Sequence, residues 1–249
     1  MKVFDRRICH LTYTHSDCAD VWPMYFHQMN KFFDLGMQHM VGVDKSHGGL
    51  PSYVRPIIYD DALPYPQRLL SCLEKLTEFD YVFFDHEDMF LYAQPDWQEL
   101  LGYYTYLTSG ELDHIRMIMG GDCKYEQVQG IPTLFRLDLR SKWIFSIQPG
   151  FWNRTVLMDV LMANRNVNIW DLEVKSQKSV KKLKLKAGFS YRQGAKRGIH
   201  HFDNDVYPYI ATAIVKGKWN LSEYRDELGI LLEQHCINPA VRGVFKVEI

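Results

Sequence analysis

Residues 81–91 of this chain read YVFFDHEDMFL, an apolar run that empties into Asp85-His86-Glu87-Asp88 and then turns apolar again. The YVFF run has the composition of a strand buried on both faces. Ligand sites in open α/β sheets lie beyond the carboxyl ends of such strands. Three carboxylates within four residues repel one another unless a cation or a proton intervenes. Hard oxygen donors of this kind suit Mn2+ or Mg2+, which bind one or two carboxylates together with substrate phosphates. A solvated acidic turn is the other use of such a cluster, and the position straight after the YVFF run favours the cation site.

Further groups lie elsewhere in the chain. Arg68 falls on a helix ahead of the YVFF run, where its guanidinium could brace the acidic cluster or a diphosphate. Residues 148–152, QPGFW, leave a strand-like stretch for a helix. Gln148 could fix sugar hydroxyls there and Trp152 could stack on a sugar ring, or Trp152 could serve the core. Residues 170–173, WDLE, supply Asp171 and Glu173 at a second acidic location, which also suits a helix N-terminus. From 175 to 197 nine Lys or Arg and no acidic residue occur. They form a solvated face or attract an anionic acceptor.

These groups need elements to position them. Residues 7–13 read as a first strand, and Asp17 or Asp20 could cap a helix running to about 33. Short strands fit within 37–59, and an apolar stripe predicts a helix over 65–79. Residues 96–107 look helical, and residues 115–121, 133–139 and 143–147 look like strands. Asn153 is placed to cap a helix over 153–163. An alternating pattern predicts a strand over 182–191, and 205–235 reads as two helices broken at Gly217-Lys218. Strands alternating with helices, followed by an antiparallel region, predict an α/β sandwich with a mixed sheet.

The order of these motifs resembles that of GT-A type nucleotide-sugar glycosyltransferases. More narrowly, it is similar to a poorly characterised glycosyltransferase-like group of bacteria and viruses. The resemblance spans roughly residues 8–173. It rests on Glu87-Asp88-Met89-Phe90-Leu91, then Ser146-Ile147-Gln148-Pro149-Gly150-Phe151-Trp152, then Trp170-Asp171-Leu172-Glu173. It implies one GT-A-like (Rossmann-like) α/β/α domain over 1–249 with a mixed, mostly parallel central sheet. Residues 1–173 would form the nucleotide-sugar and metal core, and 174–249 the acceptor and diphosphate side. It further implies transfer of a sugar from a nucleotide-diphosphate sugar to a hydroxyl of a glycan, lipid or polysaccharide acceptor.

The usual DxD is replaced by Asp85-x-Glu87-Asp88, so Asp88 is the first metal ligand expected, with Glu87 or Asp85 next. By the same resemblance Thr12, Tyr13 and Thr14 would meet the nucleotide, as would Asp61 and Arg68. Glu173, or else Asp171, would be the catalytic base. His201 (with His200 and Asp203 beside it), Lys216 and Lys218 would hold the metal and diphosphate. Two rival functions use the same carboxylates: a metal-dependent phosphate-ester hydrolase or nucleotidyltransferase, and a non-catalytic nucleotide- or sugar-binding protein.

Composition narrows the field. The 249 residues carry 29 Lys+Arg and 30 Asp+Glu, with 47% hydrophobic and 24% charged residues. This is a globular balance that excludes disordered and fibrous classes. The near-zero charge argues against a nucleic-acid partner, but it is uneven. Residues 1–173 hold 15 basic and 23 acidic side chains, hence −8; residues 174–249 hold 14 and 7, hence +7. An acidic part joined to a basic part suggests a site built from both. Five scattered cysteines without a C-x-x-C pair point to a reducing, cytoplasmic setting. No secretory signal or transmembrane run is evident, although peripheral membrane association stays open. Dinucleotide, P-loop, nucleophile-elbow and H-E-x-x-H motifs are absent. The histidines at 10, 15, 27, 39 and 47 lack ligand spacing and read as structural or surface residues.

Overall fold

The computed structural model describes residues 4–33, 36–121, 123–197 and 201–246. In chain order the elements are β1 (Ile8–Tyr13), α1 (Trp22–Phe32), β2 (Gln38–Val43), β3 (Arg55–Ile58), α2 (Tyr65–Glu74), β4 (Tyr81–His86) and α3 (Trp97–Thr108). There follow β5 (His114–Arg116), β6 (Met119–Gly120), β7 (Tyr125–Gln127), β8 (Leu134–Leu137), β9 (Gly150–Asn153), α4 (Arg154–Ala163) and α5 (Ile169–Lys182). The chain continues through β10 (Ala187–Ser190), β11 (Lys196–Arg197), β12 (His201–Phe202), β13 (Ile214–Val215), β14 (Lys218–Trp219), α6 (Arg225–Gln234) and α7 (Pro239–Arg242).

A nine-stranded sheet has the order β3-β2-β1-β4-β9-β5-β10-β8-β7. Its β1–β4 half is parallel, and β9 enters antiparallel between β4 and β5. Only β8 and β9 run against the other strands, so the sheet is mixed but mostly parallel. Helices cover both faces. Phe83 and Ile115 face a core containing α1, α3 and α6 residues, while Val82, Phe84 and Trp152 face a core containing α2, α4 and α5 residues. This α/β/α arrangement is Rossmann-like, as expected. β10 lies inside the sheet between β5 and β8, so residues beyond 173 complete the same layer.

Four local expectations are corrected. Residues 143–147 form no strand. Gln177 Oε1 instead accepts the backbone N–H groups of Ile144 (2.8 Å) and Phe145 (3.3 Å), and Glu173 Oε1 accepts that of Ile147 (2.7 Å). Side chains of α5 thus replace a ladder partner, satisfying the buried backbone in another way. The strand lies just beyond, at β9. Residues 182–186 close α5 rather than open a strand, so only 187–190 pair. Gly217-Lys218 belongs to a β-hairpin, with Lys216 (φ 50°) and Gly217 (φ 73°) at its tip, and not to a break between helices. Finally, α1 lacks a side-chain cap; Asp20 pairs with Arg242 instead.

Among the described residues no helix is long and apolar enough to cross a membrane. The five cysteines are free thiols.

Candidate active site

The β4 strand end splits the acidic cluster by direction, because successive side chains of a strand point to opposite faces. Asp85 turns under α1. Its carboxylate accepts Tyr25 Oη at 2.9 and 3.0 Å and lies 2.9 Å from His10 Nε2, with no exposure. Thr12 lies opposite Asp85 in the ladder. Its hydroxyl is held by Tyr25 Oη (2.6 Å) and His39 Nε2 (2.8 Å). Burial pushes the Asp85 carboxyl up to about 7 and His10 down to about 3, so a neutral network is favoured. Asp85 therefore belongs to the core and not to an open metal site. Thr12 likewise offers no hydroxyl to a nucleotide.

His86 turns to the opposite face, where its Nε2 meets Tyr65 Oη at 2.8 Å while Nδ1 has no hydrogen-bond partner among the described residues. Glu87 and Asp88 follow, outside the strand. Glu87 is buried and hydrogen-bonds the side chains of Cys18 and Thr14; Asp88, half-buried, accepts the Ile214 backbone N–H. Burial raises both carboxyls, and for Asp88 the Glu87 charge adds to it. The β13–β14 hairpin is fastened here, since Ala213 N–H donates to Asp88 O at 3.0 Å. Lys216 and Lys218 are exposed on that hairpin.

Glu173 approaches from α5. Asn168 caps this helix by accepting Asp171 N–H at 2.8 Å, and Leu172 anchors it in the core. Glu173 is half-buried, and burial raises its carboxyl against the opposing pull of the Ile147 N–H and the Arg116 charge. Residues 144–148 are strapped across α5 by these bonds, and Gln148 Oε1 accepts Tyr209 Oη at 2.8 Å. Tyr65, from α2, meets His86 at the β4 end. Its hydroxyl is raised first by burial and also by the charges of both Glu173 and Glu87. The end of β4 thus carries a carboxylate pair, and α5 carries a single carboxylate whose backbone partner, Ile147, adjoins the side-chain amide of Gln148.

The remaining expected residues are placed as follows. Tyr13 cannot stack on a base, because Tyr59 covers one face (5.1 Å, 6° between planes) and Tyr65 sits edge-on at 4.8 Å. Thr14 is buried and accepts Trp22 Nε1–H at 2.8 Å, yet it stays beside Glu87. Arg68 does not brace the acidic cluster. It pairs with Asp61 (2.6 Å) and donates to Leu63 O (2.6 Å), which fixes the loop after β3. Trp152 is fully buried on β9, stacked on His114 at 3.6 Å, so it is no acceptor platform. Asp171 is a first-turn helix residue paired with Lys175 at 2.9 Å and faces solvent. Asp171→Asn is expected to leave any transfer rate unchanged and the melting temperature nearly so, which activity and melting assays check. His201 lies 3.0 Å from Tyr224 Oη, near Glu223, on β12. His200 lies outside the described residues.

Among the described residues no group of three His, Cys, Asp or Glu side chains converges as a metal-binding set. The adjacent carboxylates of Glu87 and Asp88 do fit the smaller requirement of Mg2+ or Mn2+, which complete their shell with substrate phosphates and water. Asp85 and His201 do not join them. Sequence reasoning missed Arg116, Tyr65 and Tyr209. A charged residue inside the apolar run 115–119 was the available signal for Arg116; the two tyrosines gave none.

No family model matches this chain, and no curated protein is similar to it. Among solved structures, the crystal structure of 4-diphosphocytidyl-2C-methyl-D-erythritol synthase from Anaerococcus prevotii is similar over 74% of this chain and 89% of its own, with 8% identity and a TM-score of 0.44. A likeness of that size assigns neither residue nor reaction.

Proposed function

We propose that this chain is a transferase that moves a sugar from a nucleotide-diphosphate sugar to a hydroxyl of a glycan or lipid-linked acceptor. What supports it is the Glu87–Asp88 pair just beyond the carboxyl end of β4, together with Glu173, which holds the 144–148 segment from α5. Donor phosphates would lie at the Glu87–Asp88 end, near the hairpin that carries Lys216 and Lys218. Those two residues add positive charge where a leaving diphosphate needs it. Glu87 and Asp88 would hold Mn2+ or Mg2+, which as a Lewis acid supplies charge stabilisation to that leaving group. Glu173 would accept the proton of the acceptor hydroxyl, its carboxyl raised toward the working range of a general base. Gln148, fixed through Tyr209, would orient the acceptor.

A second reading is nucleotidyl transfer or phosphate-ester hydrolysis by the same carboxylates. The burial of Trp152 favours it, because the sugar platform expected at that position is spent on the core. Incubation with UDP- and GDP-sugars, Mn2+ and a panel of hydroxyl acceptors separates these outcomes. Transferred sugar supports the first reading, whereas free sugar or nucleotide monophosphate supports the second. Binding without turnover across the panel would leave a nucleotide- or sugar-binding protein.

A further inference from the structure

Arg116 ends β5 and is only 2% exposed. Its Nε donates to Ile118 O at 3.2 Å and its Nη2 reaches Cys123 Sγ at 3.3 Å, while the Phe189 ring centre lies 5.9 Å from Cζ. None of these partners is an anion. No carboxylate of the described residues lies within ion-pair distance, and Nη1 makes no hydrogen bond among them. A guanidinium has five donors and keeps its charge. Burying it without a counter-charge is costly, so such a residue is usually found paired.

The surroundings are also unsaturated. Ser146 Oγ, on the strap that Glu173 holds, is buried without a hydrogen-bond partner among the described residues. His86 Nδ1, on the Tyr65 side, is in the same condition. Arg116 pairs with Gly150 in the β5–β9 ladder, where a Cβ would come within 2.9 Å of Arg116 Cα and 2.5 Å of Ile115 O. Glycine at 150 therefore lets β9 close on β5. Arg116 faces Gly150 in the ladder and the Met117 N–H donates to Pro149 O at 2.8 Å, which places the end of β5 next to Gln148.

We propose that Arg116 is an oxyanion-binding residue of this site and takes a phosphate or carboxylate oxygen of a substrate lying beside Glu173. Arginine suits this role, since its planar fork matches both groups in a bidentate fashion. The oxygen could come from the donor diphosphate or from an anionic group on the acceptor. Only that division rests on the transferase reading; the oxyanion site itself does not.

The test is calorimetric titration of the whole chain with inorganic phosphate, pyrophosphate and UDP plus Mn2+, in wild type, Arg116→Lys and Arg116→Met. The wild type is expected to take up phosphate or pyrophosphate. Affinity should fall at least tenfold in Arg116→Met and by less in Arg116→Lys, which keeps the charge and loses the fork. If UDP loses affinity in parallel, the oxygen belongs to the donor; if UDP is unaffected, it belongs to the acceptor. Should Arg116→Met fail to fold, the Nε–Hε resonance of Arg116 in wild type, assigned by its absence from Arg116→Lys, should move on addition of pyrophosphate. Wild type that takes up none of the three probes overturns the proposal. So does unchanged affinity for all probes in the variants, or an unmoved resonance. UDP binding in a chain whose phosphate and pyrophosphate affinities are both indifferent to Arg116 sinks this proposal and leaves the transferase reading standing. Arg116-dependent phosphate binding in a chain that transfers no sugar does the reverse.

Discussion

Glu173→Gln is expected to lower sugar transfer by about 10²–10⁴-fold, the usual contribution of a positioned general base, while the chain still folds. The amide oxygen of Gln can go on accepting the Ile147 N–H, so the strap over 144–148 stays in place. Glu173→Ala removes that acceptor as well and should lose stability together with activity. The pH profile gives a second readout. Burial raises the Glu173 carboxyl, and a base works only when ionised. The rate should therefore fall as pH drops through this raised value, and the acid limb should lie above the ordinary glutamate range. The native state also holds the Glu173 proton more tightly than the unfolded chain does. Its contribution to stability is thus full below the ordinary glutamate value and is lost as pH rises through the raised one. Glu173→Gln should abolish both trends. A wild-type rate in Glu173→Gln would remove this carboxylate from the chemistry.

The largest stability effect is expected at Trp152. Trp152→Ala should cost about 3–5 kcal/mol, as large-to-small changes of buried aromatics do. At about 2–4 °C per kcal/mol for a chain of this size, the melting temperature falls steeply. The cause is the position of Trp152 between β4 and β5, packed on His114 and Phe145. Trp152→Phe keeps an aromatic ring in the core and should retain transfer activity with an unchanged acceptor KM. A raised KM in a well-folded Trp152→Phe variant would return this residue to the acceptor site. Denaturant titration alongside steady-state kinetics decides the matter.

Much of the fold was written in local patterns. The apolar runs of β1 and β4, the helix expected over 96–107 and the Asn153 cap of α4 all lie where the sequence puts them. The strap over 144–148 was not legible. Its hydrogen bonds come from Gln177 and Glu173, some thirty residues away, and leave no local signature. The strand beyond it, β9, was hidden because Pro149-Gly150 resembles a turn into a helix.

At the site, Glu87 and Asp88 beyond the β4 end and Gln148 and Glu173 around the 144–148 strap are the residues that the proposed function uses. Thr12, Tyr13 and Asp85 were misjudged for a common reason. Both faces of the β1–β4 half are covered, so hydroxyls, rings and carboxylates at the strand ends are consumed by Tyr25, Tyr59, His10 and His39. The charge asymmetry also has a more restricted meaning than the sums suggest. Lys175, Arg192 and Arg197 answer Asp171, Asp96 and Asp203. Three of the nine positive charges of 175–197 are thereby answered, while Lys216 and Lys218 stay exposed on the β13–β14 hairpin.

The most direct measurement is the melting temperature of wild type and Asp88→Asn during titration with UDP- and GDP-sugars in the presence of Mn2+. A ligand that binds the folded state at a hundred times its Kd stabilises it by about 2.7 kcal/mol. Wild type should show a Mn2+-dependent rise with one of the two donors, and Asp88→Asn should show none. No rise with either donor, or an equal rise in Asp88→Asn, would contradict a cation-assisted nucleotide-sugar site at Glu87 and Asp88.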